Sequence, residues 1–319
     1  MRLTSACVVV CLCTGALAVA QERTVFSYRD AENRRGCFFH LLAKDWVELT
    51  GIADRFSFKE VGRQDGSIEL FDKSRGGVGV RVFADKSQWN SKEGTRGKWA
   101  SLWSGAWTTE ADLRPDFKKW GLEPVRQGDR GTCSVFTTNS ALEFAFSRYT
   151  GKSVRLSVEY LNWAANQVTG QPSDGQFFHN CVAGFSKFGI CYAADMPYAA
   201  KFNAKRAPSE NARVDARKLR ATAEKVIRVH WINPLKPKPG LTDAHMHEIK
   251  AVLAIGYPVA AGAEHSRLLV GYHDDPKQLG GGMFFTKDSG SGKFDEVTYQ
   301  FVKTKVGDVF WVEAFGKSR

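Results

Sequence analysis

Four residues that are far apart in the sequence have the types expected of a thiol active site. Gln127 precedes Cys133 by a few positions, and His265 and Asp288 follow much later. The segment after Cys133 has the spacing of apolar residues that is typical of an amphipathic helix. A thiol attacks well only as the thiolate, and an ordinary cysteine carries little thiolate at neutral pH. We therefore ask which neighbours would stabilise a Cys133 thiolate.

Each of the other three residues has a predicted role beside Cys133. The start of a helix favours negative charge, and Thr132 is placed to cap that helix. A nearby imidazolium from His265 would stabilise the thiolate further, and Asp288 would accept the second imidazole N–H and fix the tautomer. The Gln127 side-chain amide and the Cys133 backbone N–H would form an oxyanion hole, each donor contributing about 3–4 kcal/mol.

Other clusters of reactive residues are weaker candidates. His245 and His247 lie two positions apart on a predicted helix, so they point to different faces. His179 and Cys181 fail as a second pair for the same reason. We therefore predict no metal site and no organic cofactor. We assign the catalytic roles to the four residues of the joint pattern: Gln127, Cys133, His265 and Asp288.

Residues 1–20 are predicted to be a secretory signal peptide. Arg2 supplies the positive end, residues 6–17 form a short apolar run, and Ala18 and Ala20 provide the small residues before cleavage at Gln21. The apolar run is too short to span a membrane, and no later stretch is long enough and free of charge. We expect an exported protein, extracellular or periplasmic, with no integral membrane segment.

Export to an oxidising compartment permits disulfides. Beyond the signal peptide the remaining cysteines are Cys37, Cys133, Cys181 and Cys191. If Cys133 stays a free thiol, at most one pair can form among the others. Cys181 with Cys191 is the expected pair, because the chain turns at Gly189 between them.

The formal net charge is +11, which raises the question of a nucleic-acid partner. Lysine and arginine are spread along the chain, without a basic block or a nucleic-acid-binding motif. We expect no nucleic-acid partner and a protein or peptide substrate. The sequence leaves the oligomeric state open.

The chain divides by its periodicity into two parts after the signal peptide. Residues 21–110 alternate apolar and polar residues, which predicts a small β-rich accessory domain. Its aromatic residues Trp89, Trp99, Trp103 and Trp107 are expected to close one end of a core. Residues 111–319 are predicted to place helices first and strands second, an α+β arrangement. The predicted helices lie near 133–146, 157–163, 177–188, 207–226 and 242–253, and the predicted strands at 258–261, 268–272, 283–286, 297–302 and 309–313.

From about residue 116 onward the chain resembles the papain-like cysteine peptidases. The resemblance is carried by residues 124–137 around the cysteine, by 156–161, by the strand motif 265–272 and by 287–292. The separation between the cysteine and the histidine fits the roughly 130–150 residues usual in that family. The resemblance implies a two-lobed fold, with Cys133 on a helical lobe and with His265 and Asp288 on an antiparallel β lobe. It also implies cysteine-type peptidase activity without a cofactor.

The chain departs from the family pattern at several positions. Arg130 replaces a cysteine of a family disulfide, and Ser134 replaces the tryptophan after the nucleophile. Asp288 stands where asparagine is usual, and Gly290 where a tryptophan shields the histidine. Residues 174–176 contain Gly175 followed by glutamine where two glycines usually bind substrate backbone. Two alternatives to peptidase activity stay open. A thiol acyltransferase would use the same thioester chemistry, and the departures at Gly290 and at Gly175 with Gln176 favour a binding protein with lost or weak turnover.

Overall fold

The structure, a computed structural model, describes residues 23–236 and 238–315. The predicted signal peptide lies outside the described residues. The described chain is mixed α/β, with a closed eight-stranded barrel and a seven-stranded sheet that packs against helices. No helix in the described ranges is both long and apolar enough to cross a membrane.

The barrel is formed by residues inside the segment that was predicted to be β-rich. Its strands are β1 (Val25–Arg29), β2 (Arg35–Leu42), β3 (Asp45–Leu49), β4 (Arg55–Gln64), β5 (Ser67–Asp72), β6 (Val78–Val82), β7 (Lys86–Asn90) and β8 (Ala100–Trp107). Each strand pairs antiparallel with the next, and β1 closes the barrel against β8. Alternating side chains fill the interior with aromatic and aliphatic groups. Trp89, Trp103 and Trp107 pack against this core, as predicted.

The second part of the chain begins with β9 (Glu110–Asp112) and α1 (Arg114–Lys119). The helices that follow are α2 (Cys133–Thr150), α3 (Val158–Thr169), α4 (Phe178–Phe188) and α5 (Glu210–Val226). The remaining elements are β10 (Ile227–Asn233), α6 (Asp243–Ala254), β11 (Val259–Gly262), β12 (Arg267–Asp274), β13 (Gly282–Asp288), β14 (Lys293–Thr298), α7 (Tyr299–Lys305) and β15 (Asp308–Ala314). The sheet order is β10-β15-β11-β12-β13-β14, and β9 pairs with β12. The long helix α2 lies against this sheet, and its side chains are buried along most of its length.

Local sequence signals explain most of these boundaries. The Ser157 hydroxyl accepts the N–H of Tyr160 at the start of α3, and Gly189 ends α4. Thr242 caps α6, which was one of the two predicted caps. One prediction was wrong, because the strand expected over residues 297–302 ends at Thr298. The Thr298 hydroxyl accepts a backbone N–H and starts α7 instead.

Further elements were not predicted, among them β9, α1 and β10. The segment expected to be a connector contains α1, which has a proline in its first turn. Strand β10 is only partly buried, so its sequence does not need a strict alternation of apolar and polar residues. It pairs with β15 and forms an edge of the sheet.

The barrel and the second part of the chain share one hydrophobic core. Val25, Phe39 and Leu49 of the barrel belong to the cluster that also contains the buried residues of α2 and α6. Helix α6 packs on β2, and an ion pair joins Arg55 of the barrel to Glu248 of α6. The barrel is therefore fixed to the sheet side of the second part by apolar packing.

The expected disulfide between Cys181 and Cys191 is absent, so that prediction was wrong. All four cysteines of the described residues are free thiols. Cys181 lies in the large core beneath α4, whereas Cys191 lies in a separate cluster with Tyr160. The turn at Gly189 therefore sends the two side chains into different cores. Burial raises the pKa of both thiols to about 12.

We predict that the chain from Gln21 onward contains four free thiols when it is isolated without reductant. Titration of the protein with a chromogenic disulfide in guanidinium should give four thiols per chain, and prior reduction should not change this value. In the native protein only Cys133 should react quickly, because the other three are buried. A count of two before reduction would show that a disulfide forms.

Candidate active site

Three of the predicted site residues lie at one end of the second sheet. His265 lies two residues before β12, and Asp288 is the last residue of β13. Because β12 and β13 are antiparallel, with Leu268 opposite Lys287, the start of one strand lies beside the end of the other. Cys133, the first residue of α2, lines the same cavity of about 790 Å³ as His265.

Asp288 holds the imidazole of His265. The His265 Nε2 atom lies 2.8 Å from Asp288 Oδ1, and that oxygen also accepts the backbone N–H groups of Gly290 and Ser291 at 2.7 and 3.1 Å. Burial alone would raise the pKa of Asp288, but these hydrogen bonds and the imidazolium charge outweigh it, so the pKa lies well below its ordinary value. Asp288 is therefore a carboxylate at any pH at which the protein would work.

Arg267 is a site residue that sequence reasoning missed. Its Nε donates to Asp288 Oδ2 at 2.8 Å, and its Nη1 donates to the backbone oxygen of His265 at 3.1 Å. The guanidinium therefore binds the carboxylate oxygen that the imidazole leaves unused. Two features of the sequence could have indicated it: Arg267 follows His265 by two residues, and Asp288 is a charged residue where the family pattern has a neutral asparagine.

The cysteine and the histidine change each other's pKa in opposite directions. The hydrogen bond to Asp288, followed by the hydrogen bond to Cys133, raises the pKa of His265 to about 9 against the opposing effect of burial. Burial alone would raise the pKa of Cys133, but hydrogen bonds from His265 and from Ser266 lower it below the ordinary thiol value. The arrangement therefore favours a thiolate–imidazolium pair at neutral pH.

The start of α2 is left open toward the cavity. Thr132 occupies the N-cap position as predicted, but no side chain caps the helix. The Thr132 hydroxyl lies 2.7 Å from the hydroxyl of Tyr198 instead. Because the first turn of a helix has unpaired N–H groups, its partial positive charge favours a negative charge on Cys133, the first residue of α2.

Gln127 is fixed between the cysteine loop and the end of β13. Its Nε2 donates to the Arg130 carbonyl oxygen at 2.7 Å, and its Oε1 accepts the Ser289 hydroxyl at 2.6 Å. The backbone N–H of Gln127 also donates to the Ser289 carbonyl oxygen at 2.8 Å. An amide nitrogen carries two hydrogens, so one N–H remains beyond the bond to Arg130.

A buried ion-pair network stands where the family pattern has a disulfide. Arg130 has a side chain only 3% exposed, and it contacts Glu159 at 2.7 Å and Asp174 at 2.9 Å. It also donates to the Ala199 carbonyl oxygen at 2.8 Å. The loop before Cys133 is thereby tied to α3 and to the segment that starts at Asp174.

The segment of Gly175 and Gln176 lies close to the cysteine loop. A side chain at Gly175 would meet the Gly131 carbonyl oxygen at 2.0 Å, and its φ of +104° also favours glycine. The Ser134 hydroxyl donates to the Gln176 carbonyl oxygen. The Gln176 amide is held by Asn166 of α3 and by α4. Gly175 and Gln176 line the cavity with Cys133.

Gly290 lies directly against the hydrogen bond between His265 and Asp288. A Cβ at this position would lie 3.1 Å from His265 Nε2 and from Asp288 Oδ1. The backbone of Gly290 therefore covers part of this bond where the family pattern has an indole. The His265 side chain remains 29% exposed. In the described part of the chain no group of three or more His, Cys, Asp or Glu residues is placed to hold a metal ion.

Comparisons with known proteins agree with this geometry at the level of the fold. The structure of xylellain, a cysteine protease from Xylella fastidiosa, matches with a TM-score of 0.50 and 17% identity, over 66% of this chain and 87% of xylellain. The fold is that of papain-like cysteine proteases. No family model matches the chain, and no curated protein matches it.

Two other solved structures are similar at lower scores. The proform of the ragweed pollen cysteine protease Amb a 11 has a TM-score of 0.48 and 18% identity, over 66% of this chain and 67% of its own. Procathepsin L 3 of the Tenebrio molitor larval midgut has a TM-score of 0.47 and 16% identity, over 65% of this chain and 70% of its own.

We predict that Arg130 contributes strongly to stability. Its replacement in Arg130→Ala leaves the buried carboxylate of Glu159 without its closest cation, and such losses cost about 3–5 kcal/mol. Urea unfolding should show this decrease in the free energy of unfolding. Arg126→Ala, in an exposed part of the same loop, should change it by no more than about 0.5 kcal/mol. Equal losses in the two variants would contradict the role assigned to the network.

We also predict that Cys133 reacts as a thiolate over an unusually wide pH range. The rate of alkylation by iodoacetamide should reach its plateau at a lower pH in the native protein than in denaturant. The reason is that the fold lowers the pKa of the Cys133 thiol. The ion pair should persist until the pH passes about 9, where His265 loses its proton. In His265→Ala burial should dominate and move the alkylation midpoint upward. Identical native and denatured midpoints would rule out the ion pair.

Proposed function

We propose that the protein is a papain-like cysteine peptidase that hydrolyses peptide bonds through Cys133. The observation that carries the proposal is that Cys133 and His265 line one cavity, while Asp288 holds the His265 imidazole by a 2.8 Å hydrogen bond. This chain supplies the three groups that nucleophilic thiol catalysis needs: a thiolate, a proton donor and a residue that orients the donor.

The proposed reaction has two steps. In the first, the Cys133 sulfur attacks the peptide carbonyl carbon while the Gln127 amide and the Cys133 N–H bind the developing oxyanion. The C–N bond then breaks, and His265 donates its proton to the leaving amine. In the second step, His265 takes a proton from water, the hydroxide attacks the thioester carbon and the Cys133 thiolate leaves. Asp288 and Arg267 touch His265 and position it in both steps.

The site architecture that we propose is two-lobed. Residues 111–319 would form the peptidase domain, with α2 on a helical lobe and β12 and β13 on a β lobe across the cavity. The barrel, within residues 21–110, would be an accessory domain. Among the described residues that line the cavity, none precedes Gly131. The barrel therefore leaves the cavity open, which supports an accessory role over that of an inhibitory plug.

Two alternatives use the same residues differently. An acyltransferase would form the same thioester and pass the acyl group to an amine instead of water. A binding protein with weak turnover is favoured by the partly exposed His265 beside Gly290. The lowered pKa of Cys133 supports catalysis over the binding alternative, because the thiolate is the nucleophilic form of cysteine.

Secretion is also part of the proposal, and it rests on the signal-like residues 1–20. Removal of this segment would leave a mature chain that begins at Gln21. N-terminal sequencing of protein recovered outside the producing cell tests this, and a first residue other than Gln21 would contradict the assigned cleavage site.

We predict that a peptidyl epoxysuccinyl probe labels Cys133 in the folded protein. Labelling should be lost in Cys133→Ala and reduced at least about 100-fold in His265→Ala, since general acid–base groups contribute roughly 10²–10⁴-fold. His273→Ala is the matched control, because this histidine is half exposed on β12 and lies outside the cavity lining. Mass spectrometry of the digest would identify the labelled residue and the labelled fraction.

The outcomes separate the alternatives. His265-dependent labelling followed by release of peptide products would support the peptidase. Labelling with product formation only when an amine acceptor is added would favour the acyltransferase. Equal labelling of native and denatured protein would favour the binding protein.

A further inference from the structure

The eight-stranded barrel contains a cavity of its own, separate from the one that holds Cys133. Its volume is about 360 Å³, and the residues that line it all lie between Tyr28 and Trp103. Two hairpin loops, at residues 30–34 and 50–54, contribute to the lining. An eight-stranded barrel is wide enough for one small ligand, and ligand sites often lie at barrel mouths. The cavity therefore has the place and the size of a binding site.

A β-bulge turns two adjacent residues of β8 toward this cavity. The pairing of β7 with β8 shifts between Lys86 and Gln88, where one residue of β7 lies opposite two of β8. These two, Leu102 and Trp103, both line the cavity, although neighbours in a regular strand point to opposite faces. The Trp103 ring stacks on Tyr28, with the ring centres 5.3 Å apart. The bulge therefore adds an aromatic ring to the cavity wall.

A buried carboxylate lies among these rings. Glu48 lines the cavity and is 8% exposed, and its Oε1 accepts the Tyr28 hydroxyl at 2.7 Å. Burial raises the pKa of Glu48, and the Tyr28 hydroxyl, the Arg75 charge and the Trp103 indole N–H oppose this only in part. A carboxylate has about four acceptor positions, so Glu48 can accept further hydrogen bonds.

Two buried donors of the lining lack acceptors. Arg75 Nε lies 2.5 Å from Asp72 Oδ2, and the guanidinium carbon lies 4.0 Å from the centre of the Phe56 ring. Its Nη2 atom and the Trp103 Nε1 atom are both buried, and neither completes a hydrogen bond within the described ranges. Buried polar groups are normally paired, so these two N–H groups call for a partner.

The charges of the lining disfavour a charged ligand. The lining contains four acidic side chains and two arginines: Asp30, Glu32, Glu48, Asp54, Arg34 and Arg75. An anion would be repelled by the excess of acidic groups. An ammonium or guanidinium group has no acceptor, so it would leave the two buried donors unpaired. A hydroxyl group both donates and accepts, and it therefore satisfies both kinds of protein group.

We propose that the barrel cavity is a carbohydrate-binding site that takes a neutral sugar ring. Its hydroxyl groups would donate to Glu48 and accept from Arg75 Nη2 and the Trp103 N–H. The apolar C–H faces of the ring would pack on Trp89 and Trp103, which line the cavity. The ring would belong to a free sugar or to the end of a glycan chain. This inference does not depend on peptidase activity.

The test measures binding to the full chain from Gln21 onward. The probes are methyl glycosides of neutral hexoses and N-acetylhexosamines, immobilised glycans that end in the same sugars, and tetramethylammonium and benzoate as charged comparators. Saturation-transfer NMR would detect binding of the free probes, and titration would give Kd. At least one neutral glycoside or glycan should bind, whereas neither charged probe should.

Two variants test whether the bound sugar lies in the barrel. Glu48→Gln removes the charged acceptor and Trp103→Phe removes the N–H but keeps an aromatic ring, so each should raise Kd about 10-fold or more. Glu69→Gln and Trp99→Phe are the matched controls. Both residues contact Arg81 and lie outside the cavity lining, so these variants should keep the original Kd. A smaller folded fraction reduces the signal but leaves Kd unchanged.

The panel also identifies the source of the sugar. Binding of free glycosides supports a free sugar as the ligand, and binding of the immobilised glycans alone supports a chain end. The proposal would be overturned if no sugar of the panel binds, or if only tetramethylammonium or benzoate binds. Sugar binding that survives in Glu48→Gln and Trp103→Phe, or that weakens equally in the two controls, would also overturn it.

Discussion

The 2.8 Å hydrogen bond between His265 and Asp288 is the contact on which the rest of the site depends. It joins the start of β12 to the end of β13, so the sheet register determines whether it can form. A slip of one residue would turn one of the two side chains to the opposite face. The bond also raises the pKa of His265, which in turn keeps the Cys133 sulfur as a thiolate. Strand pairing and thiol chemistry are thus coupled through one contact.

The use of an aspartate in this position has an electrostatic consequence. A neutral amide could orient the imidazole equally well, but Asp288 adds a charge near a thiolate that is itself negative. Arg267 contacts the second carboxylate oxygen, so the thiolate, the imidazolium, the carboxylate and the guanidinium alternate in sign. Such alternation reduces the repulsion between the two anions. Arg267 therefore offsets the negative charge that the aspartate adds near Cys133.

Whether the sequence could predict a feature depended on how far apart along the chain the interacting residues lie. The helix starts at Ser157 and Thr242, and the strand motif after His265, are set by neighbouring residues and were predicted. The partner of Arg130, by contrast, lies 29 residues away at Glu159, and no local pattern indicates it. The disulfide prediction failed for a similar reason, because closeness in sequence does not place Cys181 and Cys191 in one core.

The network around Arg130 also bears on the free thiols of the protein. The family pattern has a disulfide in the loop before Cys133, and Arg130 stands at one of its positions. Arg130, Glu159 and Asp174 tie the same loop to the same helix without sulfur chemistry. The other three cysteines of the described residues are buried, and burial raises the pKa of each, which leaves their thiols unreactive. Among the four cysteines of the described residues, Cys133 is thus the one with a lowered pKa, and ionic contacts tie its loop to α3.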